Sequence, residues 1–400
     1  MTTLPAMQII FDVSRLVRRG HLAAPTGIDR VEHAYLSFLL AQQRYRVTFE
    51  AFVPPGRWVS LSQAAVRALE AGSRRRWNEG GGSASILSAV RHFRPPRTPK
   101  RVNGGDRPLF LTVSHPRSEA TARWRRRADR CGGKLCYFVH DLIPIEYPEY
   151  ARAGDGKVNR ARIAGAATMA DGLLVNSEST AHSLRRFRSG HPVPPIAKLP
   201  FGITLPQSSG SQEDLPPRLR DRPYFLALGT IEPRKNHLLL LKIWRELAAG
   251  AGDDAPMLVI AGRRGWENAN ILAMIDRSPA LKGVLVEMAA PGDATLDVLI
   301  RRARALLAPS FAEGFGLPVA EALGCGCPVI ASDIAAHREV GGDAPLYLHP
   351  LDAKAWMAAI RDFAEPDSAL RQHHVQAANG WRPGGWDSHF SRLTEFLEQL

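Results

Sequence analysis

Short apolar runs alternate with longer segments of helical periodicity along this chain of 400 residues. Such alternation is typical of βαβ units and predicts an α/β protein with parallel sheets. In the first half we expect strands at residues 8–13, 109–114, 135–140 and 172–176. In the second half we expect them at 224–229, 257–261, 284–287, 305–308 and 329–332. The pattern therefore predicts two doubly wound domains of similar size.

The predicted boundaries follow from changes in composition. We expect a first Rossmann-like domain at residues 1–205, a linker at 206–222, a second Rossmann-like domain at 223–380 and a terminal helix at 381–400. The linker contains Ser-Ser-Gly-Ser and Pro-Pro. Residues 74–107 are rich in Gly, Pro and Arg and predict a long flexible surface loop inside the first domain. An apolar face at helical spacing predicts that the last segment packs as a helix.

Composition excludes several classes of protein. No run of eighteen apolar residues occurs, so no transmembrane helix is expected. The first residues lack the cationic and apolar segments of a secretory signal. The four cysteines, at 131, 136, 325 and 327, have neither zinc-finger spacing nor the density of a disulfide framework. A cytoplasmic protein is the expectation.

The positive charge lies in the first half of the chain. Residues 1–200 hold 32 Lys and Arg against 15 Asp and Glu, a net +17, whereas the remainder holds 20 against 24, a net −4. The basic clusters are at residues 74–76, 91–101 and 123–127. They are either solvated arginine-rich faces or a surface that docks on an anionic membrane. Nucleic acid is not expected as a partner, because no recognised nucleic-acid motif is present.

Residues 309–332 are the most informative stretch. A predicted strand ends before it, Gly314 and Gly316 permit a tight turn, and Pro318 suits the first turn of a helix. A helix that begins at the carboxyl end of a strand offers free N–H groups and its dipole to an anion such as phosphate. Glu313 lies in this turn, and Glu321 lies about one helical turn inside. A carboxylate can accept two hydroxyl hydrogen bonds, so both residues suit a sugar diol.

Two further turns follow predicted strands. In the first, Gly229 and Thr230 precede the adjacent cations Arg234 and Lys235, which can neutralise a diphosphate and stabilise charge that grows on it. In the second, residues 261–266 include Arg263, which can approach the base of a nucleotide. These turns and the glutamate pair predict a site for a phosphorylated sugar ligand.

These stretches together resemble the C-terminal domain of glycosyltransferase family 4, a class of retaining enzymes with two facing Rossmann-like domains, the GT-B architecture. Glu313 and Glu321, with seven residues between them, match that family's E-x7-E motif, and the resemblance is strong over residues 224–364. In the first half, Val-His140-Asp141-Leu-Ile-Pro, Val-Asn-Ser177-Glu-Ser-Thr and Pro-Phe-Gly202-Ile are similar to the family more loosely.

The resemblance implies a role for each matching residue. Glu313 would hold the donor sugar near the reacting carbon, and Glu321 would bind the nucleotide ribose. Arg234 and Lys235 would hold the diphosphate, helped by backbone N–H groups at Gly316 and Leu317. The remaining assignments are Gly229, Thr230 and Arg263 for donor binding, His140 for catalysis facing the donor sugar, and Gly27, Arg30 and Asp141 for contacts with acceptor or phosphate.

The implied reaction is transfer of a sugar from a nucleotide-sugar donor with retention of configuration. No Asp-x-Asp occurs in the chain, so we expect neither metal nor other cofactor. No enzymic nucleophile stands out, so we expect front-face attack with the departing phosphate oxygen helping to deprotonate the acceptor hydroxyl. GDP-mannose is the favoured donor, because the 262–266 turn and the His-Asp-Leu-Ile-Pro segment are similar to polysaccharide mannosyltransferases. The acceptor would be a glycan or a lipid-linked glycan of the bacterial surface.

Three alternatives stay open from the sequence. A sugar-nucleotide epimerase or a phosphorylase could use the same architecture, since fold alone does not fix the reaction. A basic nucleic-acid-binding protein is a remote alternative. An inactive scaffold is disfavoured, because all the expected donor-binding residues are present.

Overall fold

The computed structural model describes residues 7–22, 25–79, 94–96, 99, 107–204, 211–289 and 291–400. The chain divides into two compact units. The first comprises Met1–Ile145, Lys157–Phe201 and Trp386–Leu400, and the second comprises Glu146–Gly156 and Gly202–Gly385. Each unit contains one largely parallel sheet flanked by helices, which confirms the predicted α/β class.

The first unit is built on a seven-stranded sheet in the order β3-β2-β1-β4-β5-β6-β7, in which only β3 is antiparallel to its neighbour. Strands β1, β4, β5 and β6 are buried apolar runs, as expected where helices cover both faces of a parallel sheet. The strands are β1 Gln8–Asp12, β2 Arg46–Val53, β3 Arg57–Leu61, β4 Leu109–Thr112, β5 Lys134–Val139, β6 Gly172–Val175 and β7 Ile196–Lys198. The helices in this part of the chain are α1 Ser14–Arg19, α2 Gly27–Ala41, α3 Gln63–Glu79, α4 Ser118–Cys131, α5 Ile143–Glu146, α6 Asp155–Met169 and α7 Glu178–Phe187.

The second unit contains a six-stranded parallel sheet in the order β10-β9-β8-β11-β12-β13. The chain winds outward from β8 in one direction and from β11 in the other, so the strand order reverses between these two neighbours. The strands are β8 Tyr224–Leu228, β9 Met257–Ala261, β10 Leu285–Met288, β11 Leu306–Ala308, β12 Val329–Ser332 and β13 Leu346–Leu348. The helices are α8 His237–Ala251, α9 Ala269–Arg277, α10 Asp293–Arg302, α11 Leu317–Gly324, α12 Ala335–Gly341, α13 Ala353–Ala364, α14 Ala369–Gly380 and, packed on the first unit, α15 Trp386–Gln399.

The predicted strands are all present, and their ends lie within two residues of the predicted ones. Four strands were not predicted, namely β2, β3, β7 and β13. Strands β7 and β13 have only three residues each, too few for periodicity to reveal them. Strand β2 carries exposed and half-buried residues at both ends, so it lacks the continuous apolar run of its neighbours.

Two segments differ from the irregular structure predicted for them. Residues 74–79 are not loop but the last turns of α3, because Arg76 buries its side chain and donates to the Gly20 carbonyl while Trp77 donates to Leu22. Residues 80–93, 97–98 and 100–106 of the predicted loop lie outside the described residues. In the predicted linker, residues 206–210 also lie outside them, and Leu215 and Leu219 are buried in the core of the second unit.

The chain ends in helix α15, which packs on the first unit as its apolar face predicts. Phe390 stacks on Phe38 with 3.9 Å between ring centroids. The ring of His389 lies between the Pro200 carbonyl, at 2.9 Å, and the Tyr35 hydroxyl, at 2.8 Å. Burial lowers the pKa of His389 to about 4, although the hydrogen bond to Pro200 opposes the shift, so the imidazole is neutral at physiological pH.

Candidate active site

The loops that follow β8 and β11 meet where the strand order of the second sheet reverses. In open parallel sheets this switch point leaves a crevice at the carboxyl ends of the strands, where ligands bind. The loop after β8 carries Arg234 and Lys235 in a 3-10 turn, Pro233–Lys235, and the loop after β11 carries Glu313. The backbone N–H of Phe311 donates to the carbonyl of Arg234 at 2.8 Å, so the two loops are joined directly.

Glu313 is the centre of this cluster. Its carboxylate accepts from Arg234 Nη1 and from Lys235 Nζ, each at 2.6 Å, and from the Ser310 hydroxyl at 2.7 Å. Only 8% of the Glu313 side chain is exposed. Arg234 also pairs through Nε with the buried carboxylate of Glu232 at 2.7 Å and donates to the carbonyl of Ala312 at 3.0 Å. The structure thus brings three predicted site residues into one buried ionic network.

The charge state of Glu313 follows from this network. Burial alone would raise the pKa of its carboxyl, but the positive charges of Arg234 and Lys235 outweigh burial and hold the pKa far below the usual glutamate range. Stability gained from a carboxylate with a lowered pKa is fully present above the ordinary pKa near 4.3 and is lost only as pH falls toward the lowered value. Glu313 is therefore ionised throughout the physiological range.

Glycines allow these loops to approach each other. A Cβ on Gly262 would lie 1.8 Å from the carbonyl oxygen of Gly229, so only glycine fits where the loops after β8 and β9 touch. Gly229 has a φ of +122°, and a Cβ there would lie 3.3 Å from Cε of Lys235. Gly316 has a φ of +96° and caps the start of α11. Gly229 and Gly316 therefore shape the backbone on either side of the ionic network.

Helix α11 begins at Leu317 with Pro318 in its first turn, as predicted. Glu321 lies one turn inside the helix and is half-buried. This position, about one helical turn from the start of α11, is the predicted one. The role of Glu321 toward a ribose stays a prediction, as do the roles of Thr230, Gly316 and Leu317 toward a donor.

Two buried histidines beside the network were not predicted. His337 lies in helix α12, which follows β12, and its Nδ1 donates to the Ser332 carbonyl at 3.0 Å. Its Cδ2 would lie 3.1 Å from a Cβ placed on Gly316. His237 is the first residue of α8, and its Nδ1 has no hydrogen-bond partner among the described residues. Both rings line a small pocket together with Lys235, Ser310 and Glu313. Burial, reinforced by Lys235 and Arg234, lowers the pKa of His237 to about 3. Each histidine lies in the helix that follows a strand of the second sheet, His237 after β8 and His337 after β12.

The loop after β9 lies beside the loop after β8. The carbonyl of Arg263 accepts from the backbone N–H of Ile231 at 2.8 Å, and the N–H of Gly265 donates to the Ile231 carbonyl at 3.0 Å. Arg264 pairs with Asp276 and Glu287 on the surface. Trp266 donates from Nε1 to the carbonyl of Tyr150 at 3.1 Å. The loop is therefore attached to its neighbours through its backbone and its tryptophan, and contact of Arg263 with a donor stays a prediction.

In the first unit, His140 directly follows β5 and is 4% exposed. Burial lowers its pKa to about 4, so the ring is neutral, and Nε2 donates to the Val113 carbonyl at 2.7 Å. The side chains of Asn176 and Thr180 donate hydrogen bonds to the His140 carbonyl at 2.9 and 3.3 Å. Asp141 accepts from the backbone N–H of Ile143 at 3.1 Å. A neutral, fixed imidazole is consistent with a site residue, and the roles of His140 and Asp141 stay predictions.

The segment around Gly27 is the start of a helix. Gly27 is the first residue of α2, and Thr26 and Asp29 form a reciprocal capping box there. Asp29 is buried and pairs with Arg15 at 2.5 Å and with Arg19 at 3.1 Å. Arg30 follows in the first turn of the helix. The assignment of Gly27 and Arg30 to acceptor or phosphate stays a prediction.

Known proteins resemble this chain in sequence. Residues 213–381 match the family model described as glycosyl transferases group 1. The chain is 30% identical over 261 residues to the serotype-specific mannosyltransferase WbdA of Escherichia coli, a match that covers 59% of this chain and 31% of WbdA. It is 38% identical over 145 residues to the O-antigen chain mannosyltransferase B of the same species, covering 36% of this chain and 38% of that protein. The chain therefore spans only about a third of the length of these relatives.

Solved structures share the fold. Sucrose-phosphate synthase from Thermosynechococcus elongatus superimposes with a TM-score of 0.65 at 17% identity, covering 98% of both chains. HepE of Anabaena, solved in complex with UDP-glucose, gives a TM-score of 0.63 at 14% identity, covering 98% of this chain and 100% of HepE. The two sheets are those of the GT-B fold. Within this fold, residues 213–381 are similar to the glycosyl transferases group 1 family.

Proposed function

We propose that the protein is a retaining glycosyltransferase that moves a sugar from a nucleotide-sugar donor to a glycan or lipid-linked acceptor. The observation that carries the proposal is the ionised Glu313, held between Arg234 and Lys235 at the switch point of the second sheet. A carboxylate with fixed orientation can accept hydroxyl hydrogen bonds from a sugar. The start of α11 lies close by in sequence and offers free N–H groups to a phosphate.

The two cations of the network suit the leaving diphosphate. Before a donor binds, Glu313 and Glu232 hold Arg234 in a fixed position, and Glu313 holds Lys235. Charge that grows on the diphosphate as the glycosidic bond breaks would meet cations that need little reorganisation. The acceptor hydroxyl would attack from the same face, and a departing phosphate oxygen would take its proton, which gives retention without an enzymic nucleophile.

GDP-mannose is the donor that we favour. The supporting comparisons are the two mannosyltransferases of Escherichia coli, one of which is named for the O-antigen chain. By analogy the acceptor would be a growing bacterial surface polysaccharide. HepE was solved with UDP-glucose, so a UDP-sugar is the competing donor on the same fold.

Release of nucleoside diphosphate across a panel of GDP- and UDP-sugars tests this function. We expect turnover with one base and one sugar, strongest with GDP-mannose, an acceptor-dependent rate and a retained anomeric configuration in the product. We also expect full activity in EDTA, because Arg234, Lys235 and the start of α11 supply the positive charge. Loss of activity in EDTA, or a trapped covalent glycosyl-enzyme, would contradict the mechanism. Epimerised donor without diphosphate release would instead identify the protein as a sugar-nucleotide epimerase, and phosphorolysis would identify it as a phosphorylase.

The basic first unit supports a peripheral position at the cytoplasmic face of a membrane. No helix in the described ranges is long and apolar enough to cross a bilayer. Much of the positive charge is already paired within the fold, because Arg123 binds Glu119, Arg125 binds Asp171 and Arg127 binds Glu50. Arg126 and Arg130 lie exposed on the same helix, α4. The surface available to lipid is therefore smaller than the net charge suggests.

Vesicle sedimentation tests this association. We expect binding that rises with the fraction of anionic lipid and falls with salt, since each exposed basic residue near the headgroups contributes about 1 kcal/mol. Replacing Arg126 and Arg130 by Glu should weaken binding at least about thirtyfold, the equivalent of about 2 kcal/mol. Glu substitution of the paired Arg123 is the comparison and should have a smaller effect. Binding that is independent of anionic lipid would contradict a membrane partner.

A further inference from the structure

A short segment that directly follows the His140–Pro144 motif belongs to the second unit and not to the first. Residues 146–156 are assigned to the second unit, although the chain on both sides of them folds into the first. We call residues 147–152 the strap. They include the 3-10 turn Pro148–Tyr150. Neither the charge pattern nor the donor motifs predicted a role for this segment.

The strap contacts the loop that carries Glu313. The ring of Tyr150 stacks on Phe311 with 5.6 Å between centroids and 12° between planes. Tyr147 stacks in turn on Tyr150 at 5.9 Å and 21°. Phe311 lies two residues before Glu313, and its backbone N–H binds the carbonyl of Arg234. Tyr150 therefore packs on the residue that joins the loops after β8 and β11.

The strap also contacts the loop after β9. The indole N–H of Trp266 donates to the carbonyl of Tyr150 at 3.1 Å. The guanidinium of Arg152 lies over the Trp266 ring, 4.9 Å from its centroid, which is within range of a cation–π interaction. The indole of Trp266 is thus held from two sides by the strap. These two contacts fix the position of the Trp266 indole, so it cannot move with a nucleotide base while they are made.

We propose that the strap positions the donor site by holding the Phe311 loop and the Trp266 loop at a fixed separation, with Tyr150 as the positioning residue. This proposal rests on the proposed function, because it assigns the site to a nucleotide-sugar donor. Stacked aromatic pairs favour defined ring separations, and the backbone hydrogen bond fixes the second loop. Displacement of a binding group by about 1 Å can lower a rate by about a hundredfold. A side chain that touches no ligand can therefore control how Glu313 meets the sugar.

Steady-state kinetics of Tyr150 variants test the strap, with the donor that gives turnover in the GDP- and UDP-sugar panel. Tyr150→Ala should lower kcat about tenfold or more and raise the donor KM several-fold, whereas Tyr150→Phe keeps the ring and should stay within about twofold of the unmodified protein. Trp266→Phe removes the indole donor and should raise the donor KM with a smaller change in kcat. Rescue by phenylalanine separates a role of the ring from a role of the hydroxyl.

The control is Phe38→Ala, which removes a stacked ring from the Phe38–Phe390 pair in the first unit. It should lower the unfolding midpoint without changing the donor KM. If Tyr150→Ala keeps the kcat and KM of the unmodified protein, the strap does not position the site. If Tyr150→Ala does not fold, Arg152→Ala takes its place, because it removes the cation–π contact with Trp266 and leaves both aromatic rings. The donor KM of Arg152→Ala must then rise for the proposal to hold.

A double-mutant cycle separates failure of the strap from failure of the proposed function. The urea midpoints of Tyr150→Ala, Phe311→Ala and the double variant should be non-additive, because the two rings contact each other. Additive midpoints would overturn the packing on which the strap depends. Non-additive midpoints together with no nucleoside diphosphate release from any donor would overturn both the donor role of the strap and the proposed function, while leaving the packing itself established.

Discussion

Glu313→Gln is expected to lower turnover by about 10²–10³-fold, with a much smaller change in donor KM. The substitution keeps the shape of the side chain but removes the charge that holds Arg234 and Lys235 in place. Loss of one preorganised electrostatic contact in an active site has an effect of about this size. Because Glu313 is buried, removal of its charge leaves two cations without their shared partner, and a loss of stability is also expected. Initial rates at saturating donor, measured well below the unfolding midpoint, isolate the effect on chemistry.

Glu321→Gln is the matched comparison, because it makes the same chemical change one helical turn inside α11. Glu321 is assigned to the ribose, so this variant should raise the donor KM about tenfold, near 1.4 kcal/mol, and leave turnover within a few-fold. The two glutamates would then have unequal roles, one in the rate and one in affinity. Equal losses of turnover and of donor affinity in both variants would contradict that division.

Arg234→Ala is expected to lower turnover by a similar factor, about 10²–10³-fold, by weakening the charge that meets the leaving diphosphate. The variant should also become sensitive to acid at a higher pH than the unmodified protein. Arg234 is the larger of the cationic influences on Glu313, so its removal lets the pKa of that carboxyl rise toward the ordinary glutamate range. Activity should then fall as pH decreases through the raised pKa. A pH–rate profile of both proteins measures the shift.

Two further variants make the Arg234 result specific. Arg234→Lys keeps the charge but not the planar fork that binds Glu232 and Glu313 together, so its activity should be intermediate. Arg301→Ala breaks another ion pair to a buried carboxylate, that of Asp297, away from the ionic network. It should lower stability without lowering turnover. Equal losses of turnover in Arg301→Ala and Arg234→Ala would mean that both act through stability alone.

The fold and the centre of the site were accessible from the sequence for physical reasons. Parallel strands buried on both faces are continuous apolar runs, and a helix start after a strand carries a recognisable Gly-Pro signature, as at Gly316 and Pro318. The meeting of Arg234 and Lys235 with Glu313 could be inferred only because strand ends of one sheet converge. The spacing of Glu313 and Glu321 indicated two donor-binding residues, but it did not indicate the ion pairs that Glu313 makes.

Other features could not be inferred because they depend on tertiary contacts. Residues 74–79 are polar and arginine-rich, and only the burial of Arg76 against the Gly20 carbonyl makes them helical. Arg125 and Arg127 add to the net charge of the sequence, yet in the fold each binds a carboxylate from a distant segment. The strap is attached to the second unit by Trp266 and Phe311, which are more than a hundred residues from it in the chain. Sequence pattern contains no trace of such long-range pairs.

The most direct test of the donor site is a crystal structure of the protein with GDP, or with UDP if the donor panel favours that base. We expect the diphosphate to lie against Arg234, Lys235 and the start of α11, and a carboxylate oxygen of Glu321 to lie within hydrogen-bond distance of the ribose hydroxyls. A nucleotide bound elsewhere in the second unit, or bound at the switch point without contact to Arg234 and Lys235, would contradict this expectation.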